Sequence, residues 1–290
     1  MQTGSEACAF CNEVRELRES HIVPKFVFRW LKNSGVSPYL RNHQNPNKKV
    51  QDGVKIPLLC NDCEQLFEKY ETPFAKFIFR PFVDDPTYTV MYSDWCAKFA
   101  ASVMWRAGTF FLLTSSNGLP VEVRQQIEAA CDVWRTFILG ASPNPSQYEL
   151  HMVPFDLIES SVGVPLHKSL NTYLQRIIDT HLFGFTDANS QIISVKLGPI
   201  GLFGFVSPPR DKWAGSRIKV RSGQFKLQNL KLPLGLFQYL NYRSEVVFEQ
   251  LESMSDVQKS KVMDMIEEHS DAFFESNTYR AMLQDIKLSS

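Results

Sequence analysis

Two Cys-x-x-Cys pairs, Cys8 with Cys11 and Cys60 with Cys63, lie on either side of a His-Ile-Val-Pro motif at residues 21–24. Four thiolates are a ligand set suited to tetrahedral zinc. Because such a set leaves no coordination position open, a shared metal ion would be structural and would hold the ends of the segment together. The alternative is that one or both pairs are core cysteines, but the repeated short spacing weakens it.

His21 carries an imidazole, which titrates near neutral pH, so this residue is a candidate general base. Pro24 follows closely in the sequence, and we expect His21 to be extended or to lie just ahead of a helix. A metal-clamped frame would hold the imidazole in one orientation. A single histidine is also commonly a hydrogen-bonded structural residue, and that alternative stays open.

The stretches 8–11, 20–24 and 58–64 resemble the zinc-stapled form of the HNH endonuclease superfamily, the ββα-metal nucleases. The resemblance implies a small zinc-bound ββα, treble-clef-like module over residues 1–83. It also implies hydrolysis of phosphodiester bonds, with DNA as the expected substrate. His21 would then deprotonate a water molecule, while a divalent metal ion, Mg²⁺ or Mn²⁺, stabilises the leaving oxygen.

The chain departs from that family pattern at three positions. Ser20 stands where the family often has an acidic metal ligand, Lys55 lies about where its Asn falls, and Glu64 replaces the His or Asn after the second cysteine pair. Glu64 is still a competent ligand for a hard cation. Some family members place a further acidic residue where Glu71 lies, so Glu64 and Glu71 are candidate catalytic residues. A solvated acidic face near a helix start is the equally weighted alternative.

The segment between His21 and Leu59 contains seven lysines and arginines against one aspartate, although the 290-residue chain has no formal net charge. Such a local excess of cations favours contacts with the phosphate backbone of nucleic acid. A solvated lysine-rich loop is the alternative. The candidate phosphate-binding residues are Lys25, Arg29, Lys48, Lys49 and Lys55.

Periodicity and turn-forming residues predict the elements along the chain. We expect helices over 60–79, 93–111, 120–139, 166–183 and the last forty or so residues, strands over 54–59 and 148–157, a hairpin over 191–206, one or two strands within 217–232, and an exposed loop over 33–52. The predicted fold is therefore α+β. The zinc-bound ββα module precedes a larger, mainly helical domain with a small antiparallel sheet over residues 84–290, which we expect to bind a partner or to regulate.

Other features of the sequence limit the class of protein that we expect. The N-terminus lacks a basic start followed by an apolar stretch, and the best apolar run is interrupted by Arg106 and is shorter than the ~18 residues of a membrane span. We therefore expect a soluble, cytoplasmic protein without a membrane partner. Cys96 and Cys131 lie on apolar helical faces and are predicted to be inert core thiols.

Residues 245–290 contain ten acidic and four basic residues. A solvated helical surface is the default explanation. A second hypothesis is that this tail covers the basic loop of its own or a neighbouring subunit.

The leading interpretation is a metal-dependent HNH-type endonuclease, whose role by analogy would be bacterial defence against phage. The alternative is a zinc-knuckle module that has lost catalysis and binds nucleic acid or a protein partner.

Overall fold

The structure, a computed structural model, describes residues 6–37, 39–115, 118–161, 163–185, 190–208 and 212–289. In these ranges the strands are β1 Glu6–Ala7, β2 Val14–Arg15, β3 Leu17–His21, β4 Leu40–Asn42, β5 Asn45–Val50, β6 Lys55–Cys60, β7 Val90–Ser93, β8 Leu150–Pro154, β9 Ile178–Phe185, β10 Ser190–Leu197, β11 Ile200–Phe205 and β12 Ser222–Phe225. The helices are α1 Lys25–Asn33, α2 Asn61–Phe74, α3 Arg80–Asp84, α4 Asp94–Thr114, α5 Val121–Ile138, α6 Leu170–Arg176, α7 Leu234–Glu252, α8 Asp256–Glu268, α9 Ser270–Glu275 and α10 Asn277–Ser289. The α+β class with small antiparallel sheets is confirmed.

The N-terminal region contains two antiparallel strands followed directly by a helix. β3 pairs with β6, so that Leu17 lies opposite Cys60 and His21 lies opposite Lys55. The carboxyl end of β6 is buried and leads straight into α2. The predicted strand over 54–59 is confirmed. Residues 1–5 of the predicted module lie outside the described residues.

The helical segment that begins with α2 continues past its proline without a break. Pro73 lies inside α2 and is followed by a π-helical turn, Ala75–Phe79, which leads into α3. A proline removes one backbone donor and clashes with the preceding turn, and a wider π-helical turn relieves such a disruption. The predicted helix over 60–79 is therefore confirmed, with a local change of winding at its end.

α4 is the central helix of the core. Its middle part is buried almost throughout, and it packs against α2, α5 and the sheet strands β10 and β11. Gly108 permits the close approach of α5, because an added Cβ would lie only 2.6 Å from the Cys131 Sγ atom. Cys96 and Cys131 are buried, as predicted. One apolar core extends from Cys8 to Phe225, so packing is continuous across residues 83 and 84.

The C-terminal region contains a four-stranded antiparallel sheet in the order β8-β11-β10-β9. One face meets α4, and the other packs on α6 and α7 in a second apolar cluster. The predicted hairpin over 191–206 and the helices over 93–111 and 120–139 are confirmed. The predicted helix over 166–183 is wrong from Ile178 onward, where β9 pairs along its whole length with β10. Pairing with the strand that follows in the chain overrides the helical pattern of these residues.

The predicted exposed loop over 33–52 is also wrong in part, because β4 and β5 form a hairpin there. Its Asn-, Pro- and Lys-rich sequence resembles a loop, but distant residues hold it in place. His43 Nδ1 lies 2.6 Å from Gln250 Oε1, and Arg41 donates to Gln258 Oε1 at 3.1 Å. The corner between α7 and α8 therefore contacts this basic hairpin within one chain. This is a contact that the hypothesis of a tail covering the basic loop expects.

None of the helices in the described ranges is long and apolar enough to cross a membrane.

Candidate functional site

The four predicted cysteine ligands meet at one point. The Sγ atoms of Cys8, Cys11, Cys60 and Cys63 all lie within 4.8 Å of one another, and the Cys11 and Cys60 sulfurs are 3.8 Å apart. A tetrahedron with the usual Zn–S bond of about 2.3 Å has sulfurs about 3.8 Å apart. The cluster can therefore hold a metal ion such as zinc.

Local backbone structure places these sulfurs. β1 and β2 form a short hairpin whose turn carries Cys8 and Cys11, and the Cys8 N–H donates to the Glu13 carbonyl at 2.9 Å. Asn12 adopts a positive φ of 62°, a conformation that Asn tolerates better than most residues and that lets the chain reverse tightly. The Cys60 N–H points at the Cys8 Sγ atom at 3.3 Å, which joins the hairpin to the start of α2.

The electrostatics of the cluster require a cation if all four sulfurs are to be thiolates. Burial raises the pKa of the Cys63 thiol far above its ordinary value, and the neighbouring cysteines raise it further. Burial also acts to raise the pKa of Cys8, but hydrogen bonds from backbone N–H groups outweigh it and lower that pKa to about 7. Four adjacent negative sulfurs repel one another, and a bound divalent cation removes this cost.

His21 lies at the end of β3, and its imidazole is paired with a carboxylate that the motif did not indicate. His21 Nε2 lies 2.7 Å from Asp52 Oδ2, and both side chains are partly exposed. Burial alone would raise the pKa of Asp52, but hydrogen bonds from His21 and the Gly53 N–H, together with nearby positive charge, lower it. Asp52 is therefore ionised at neutral pH and accepts a hydrogen bond from the imidazole, which leaves Nδ1 as the basic nitrogen.

A glycine and a phenylalanine position Asp52. The Gly53 N–H donates to Asp52 Oδ1 at 3.0 Å. A Cβ atom on Gly53 would lie 2.0 Å from the Phe28 ring, so a larger residue here would have to displace that ring or the turn.

Glu71 is occupied by a buried arginine. Arg106 of α4, whose side chain is 2% exposed, donates through Nη2 to Glu71 Oε1 at 2.6 Å and through Nη1 to the His21 carbonyl at 3.1 Å. Arg106 thus connects α2 to the end of β3. The predicted catalytic residue Glu71 is therefore engaged in an ion pair in this structure. Arg106, and not a metal-binding group, links Glu71 to the backbone of His21.

Glu64 and Ser20 have different environments. The Glu64 Oε1 atom is buried and has no hydrogen-bond partner among the described residues. Ser20 is buried between strands, where its hydroxyl accepts the Leu59 N–H at 3.1 Å and donates to the Arg18 carbonyl at 3.3 Å. Within the described ranges, the four cysteines are the one group of His, Cys, Asp and Glu residues close enough together to hold a metal ion.

No family model, curated protein or solved structure matches this chain. The interpretation of the site therefore depends on its own geometry.

The predicted phosphate-binding residues are all exposed. They are Lys25, Arg29, Lys48, Lys49 and Lys55. Lys25 and Arg29 lie one turn apart on α1, and Lys55 is the cross-strand neighbour of His21, with its Nζ atom 3.9 Å from Asp52 Oδ2. The Lys49 ammonium group lies 4.5 Å from the Tyr39 ring centroid. Lys55 therefore places positive charge beside the carboxylate that contacts the imidazole.

Sequence reasoning missed Asp52 and Arg106. Asp52 is the single acidic residue among the cations between His21 and Leu59, and Arg106 is the charged residue that interrupts an apolar helix. An isolated charge in a segment of opposite or apolar character needs a partner, and this is the signal by which both residues could have been found.

Proposed function

We propose that the N-terminal region is an HNH-like, treble-clef-like nuclease module that hydrolyses phosphodiester bonds in nucleic acid, with DNA as the first expectation. The observation that carries the proposal is the 2.7 Å contact between His21 Nε2 and Asp52 Oδ2. The strand pair β3–β6, which carries His21, ends at the four-cysteine cluster. The sequence resemblance supplies the reaction class, and this contact supplies a general base with a defined orientation.

His21 would act through its Nδ1 atom. The hydrogen bond to Asp52 fixes the tautomer in which Nε2 carries the proton, so Nδ1 can take a proton from a water molecule. The Asp52 carboxylate then stabilises the imidazolium that forms. Arg106 holds the His21 carbonyl and so limits movement of the backbone at the base.

Glu64 is the residue that would hold a catalytic cation. Its buried Oε1 atom lacks a partner among the described residues, which fits a carboxylate oxygen that accepts an ion. Mg²⁺ typically uses one or two carboxylates and completes its shell with water and substrate phosphate oxygens. When bound, Mg²⁺ or Mn²⁺ would supply positive charge for the leaving oxygen. The Glu71 oxygen bound to Arg106 is unavailable for this purpose unless that ion pair breaks.

The cations around the site would bind the backbone of the nucleic acid. Lys55 lies across from His21, and Lys25 with Arg29 extends a positive face along α1. Such contacts position a strand without reading its sequence. A role in defence against phage follows by analogy with other nucleases that carry an additional domain.

Incubation of supercoiled plasmid with Mg²⁺ or Mn²⁺ tests the proposal. We expect nicking by the wild-type protein, a loss of at least about 100-fold in His21→Ala, and a smaller loss in Asp52→Asn. Glu64→Gln should require more metal, whereas Glu68→Gln, the same change at an exposed position of α2, should leave the rate unchanged. Nicking that persists in folded His21→Ala protein would remove His21 as the base.

The second candidate function is a module that binds nucleic acid without cleaving it. The Glu71–Arg106 ion pair and the buried Ser20 hydroxyl favour it, because two positions that the family uses for metal binding have structural roles here. This candidate predicts that the wild-type protein binds labelled DNA with a strong salt dependence but leaves plasmid intact with either metal.

A further inference from the structure

A cleft of about 620 Å³ lies between the β4–β5 hairpin and helix α7. Its walls come from the β4–β5 hairpin, the residues around α1, strand β9 and helix α7. This volume lies in the range of ~300–1,000 Å³ that is typical of small-molecule sites. Asp52, the partner of His21, lies in its wall.

One wall of the cleft is apolar. Phe28 and Leu31 of α1 line it together with Leu40 of the hairpin. Apolar and aromatic walls favour the flat face of a ring, whose edge remains free for hydrogen bonds.

The cleft also carries positive charge. Arg41, Arg176 and Arg243 line it together with the carboxylates of Asp52 and Asp179. Arg243 already pairs with Asp179, because its Nε and Nη2 atoms donate to the two Asp179 oxygens at 2.9 and 3.0 Å. Arg176 is buried, and burial lowers its pKa only to about 10, so it remains charged at neutral pH. The three arginines outnumber the two carboxylates in the lining, so the cleft suits an anionic group.

His181 gives a second sign of a missing partner. Its Nδ1 atom is buried and has no hydrogen-bond partner among the described residues. Burial lowers the pKa of His181 to about 4, and the charge of Arg243 contributes in the same direction, so the imidazole is neutral at physiological pH. An unsatisfied buried polar atom costs roughly 1–3 kcal/mol, and a ligand that pairs with it recovers part of this cost.

We propose that this cleft binds a nucleotide, with the ring against Phe28 and Leu31, its polar edge at His181 and its phosphate toward the arginines. The ligand is either a free nucleotide or one nucleotide of a strand that is cleaved at His21. The ligand class rests on the proposed function. The cleft adds to that function because Asp52 lies in the cleft wall and contacts the His21 imidazole. It implies that the substrate strand is single or locally unpaired.

Titration calorimetry on the full-length protein tests the cleft with three probes: deoxyadenosine 5′-monophosphate, a short single-stranded oligodeoxynucleotide and the same sequence as a duplex. The variants are His181→Phe, which removes the ring nitrogens, and Leu40→Trp, which enlarges a wall residue. His269→Phe is the matched control, because His269 is exposed and lies between α8 and α9. The urea midpoint of each variant is measured alongside.

We expect at least tenfold weaker binding of the nucleotide or the single strand in His181→Phe and Leu40→Trp, and unchanged binding in His269→Phe. Binding of the mononucleotide identifies a free ligand, whereas binding of the single strand alone identifies the substrate strand. Calorimetry measures binding and not cleavage, so the cleft is tested whether or not the protein cleaves nucleic acid. Absence of binding to the mononucleotide and the single strand, or equal affinity in wild type and both folded cleft variants, would overturn the proposal.

Discussion

The ion pair between Glu71 and Arg106 gives the sharpest test of how this site is built. Arg106 is 2% exposed and contacts Glu71, the His21 carbonyl and, through Nε, the Ser102 carbonyl at 3.3 Å. Replacing Glu71 with Ala leaves the guanidinium buried with two carbonyl acceptors and no counter-ion. The change therefore affects α2, α4 and the end of β3 together.

The size of this effect follows from the burial of the pair. Removing one partner of a buried ion pair costs about 3–5 kcal/mol. The Glu71 side chain is 20% exposed, so solvent reduces the penalty, and we expect Glu71→Ala to lower the free energy of unfolding by about 3 kcal/mol. Glu71→Gln keeps an acceptor for Arg106 and should cost about 1 kcal/mol.

Urea unfolding of zinc-loaded protein, followed by circular dichroism, measures these differences at constant m-value. Glu68→Ala on the exposed side of α2 is the control and should stay within about 0.5 kcal/mol of wild type. The double variant Glu71→Ala with Arg106→Met should recover much of the loss, because no unpaired charge remains. If Glu71→Ala is as stable as Glu68→Ala, Arg106 does not depend on Glu71, and Glu71 is free to bind a metal ion.

Three further predictions concern the metal, the cleft and the turn beside Asp52. One zinc ion per chain should be bound, and Cys60→Ser should lose both the metal and cooperative unfolding, as measured by metal analysis and calorimetry. The pKa of His181 is lower in the folded than in the unfolded chain, so its contribution is present above its unfolded pKa of 6.5 and is lost as the pH falls toward 4. Wild type should therefore lose up to about 2–3 kcal/mol more stability than His181→Phe between pH 7.5 and 4.5, and an equal loss in both proteins would contradict this assignment. Gly53→Ala should displace the Phe28 ring or the turn and reduce any His21-dependent nicking at least tenfold while leaving zinc content unchanged.

Local sequence patterns predicted the parts of the fold whose signal lies within a short segment. The long apolar periodicities predicted α4 and α5, and β-branched residues around Gly198 predicted the hairpin β10–β11. The four-sulfur cluster was predicted although Cys11 and Cys60 are 49 residues apart, because the same short cysteine spacing occurs twice.

The failures involve partners that the pattern of a single segment does not show. β9 has a partly helical pattern, yet it pairs with β10, the strand that follows it, and its Asp179 forms an ion pair with Arg243, 64 residues away. The β4–β5 hairpin depends on Gln250 and Gln258. Propensity is a weak guide when tertiary contacts of this kind decide the structure.

The carboxylate that matters most for His21 in the structure is not one of those that the sequence resemblance implied. The resemblance points to Glu64 and Glu71, but Glu71 is bound to Arg106, and Ser20 hydrogen-bonds within the strands. Asp52 is the carboxylate that contacts the His21 imidazole, and its lowered pKa keeps it ionised where a histidine base works. In any reaction at this site, Asp52 therefore sets the tautomer and orientation of the base, and loss of Asp52 should reduce the reaction rate directly. Loss of Glu71 should act mainly through the stability of the frame that carries His21.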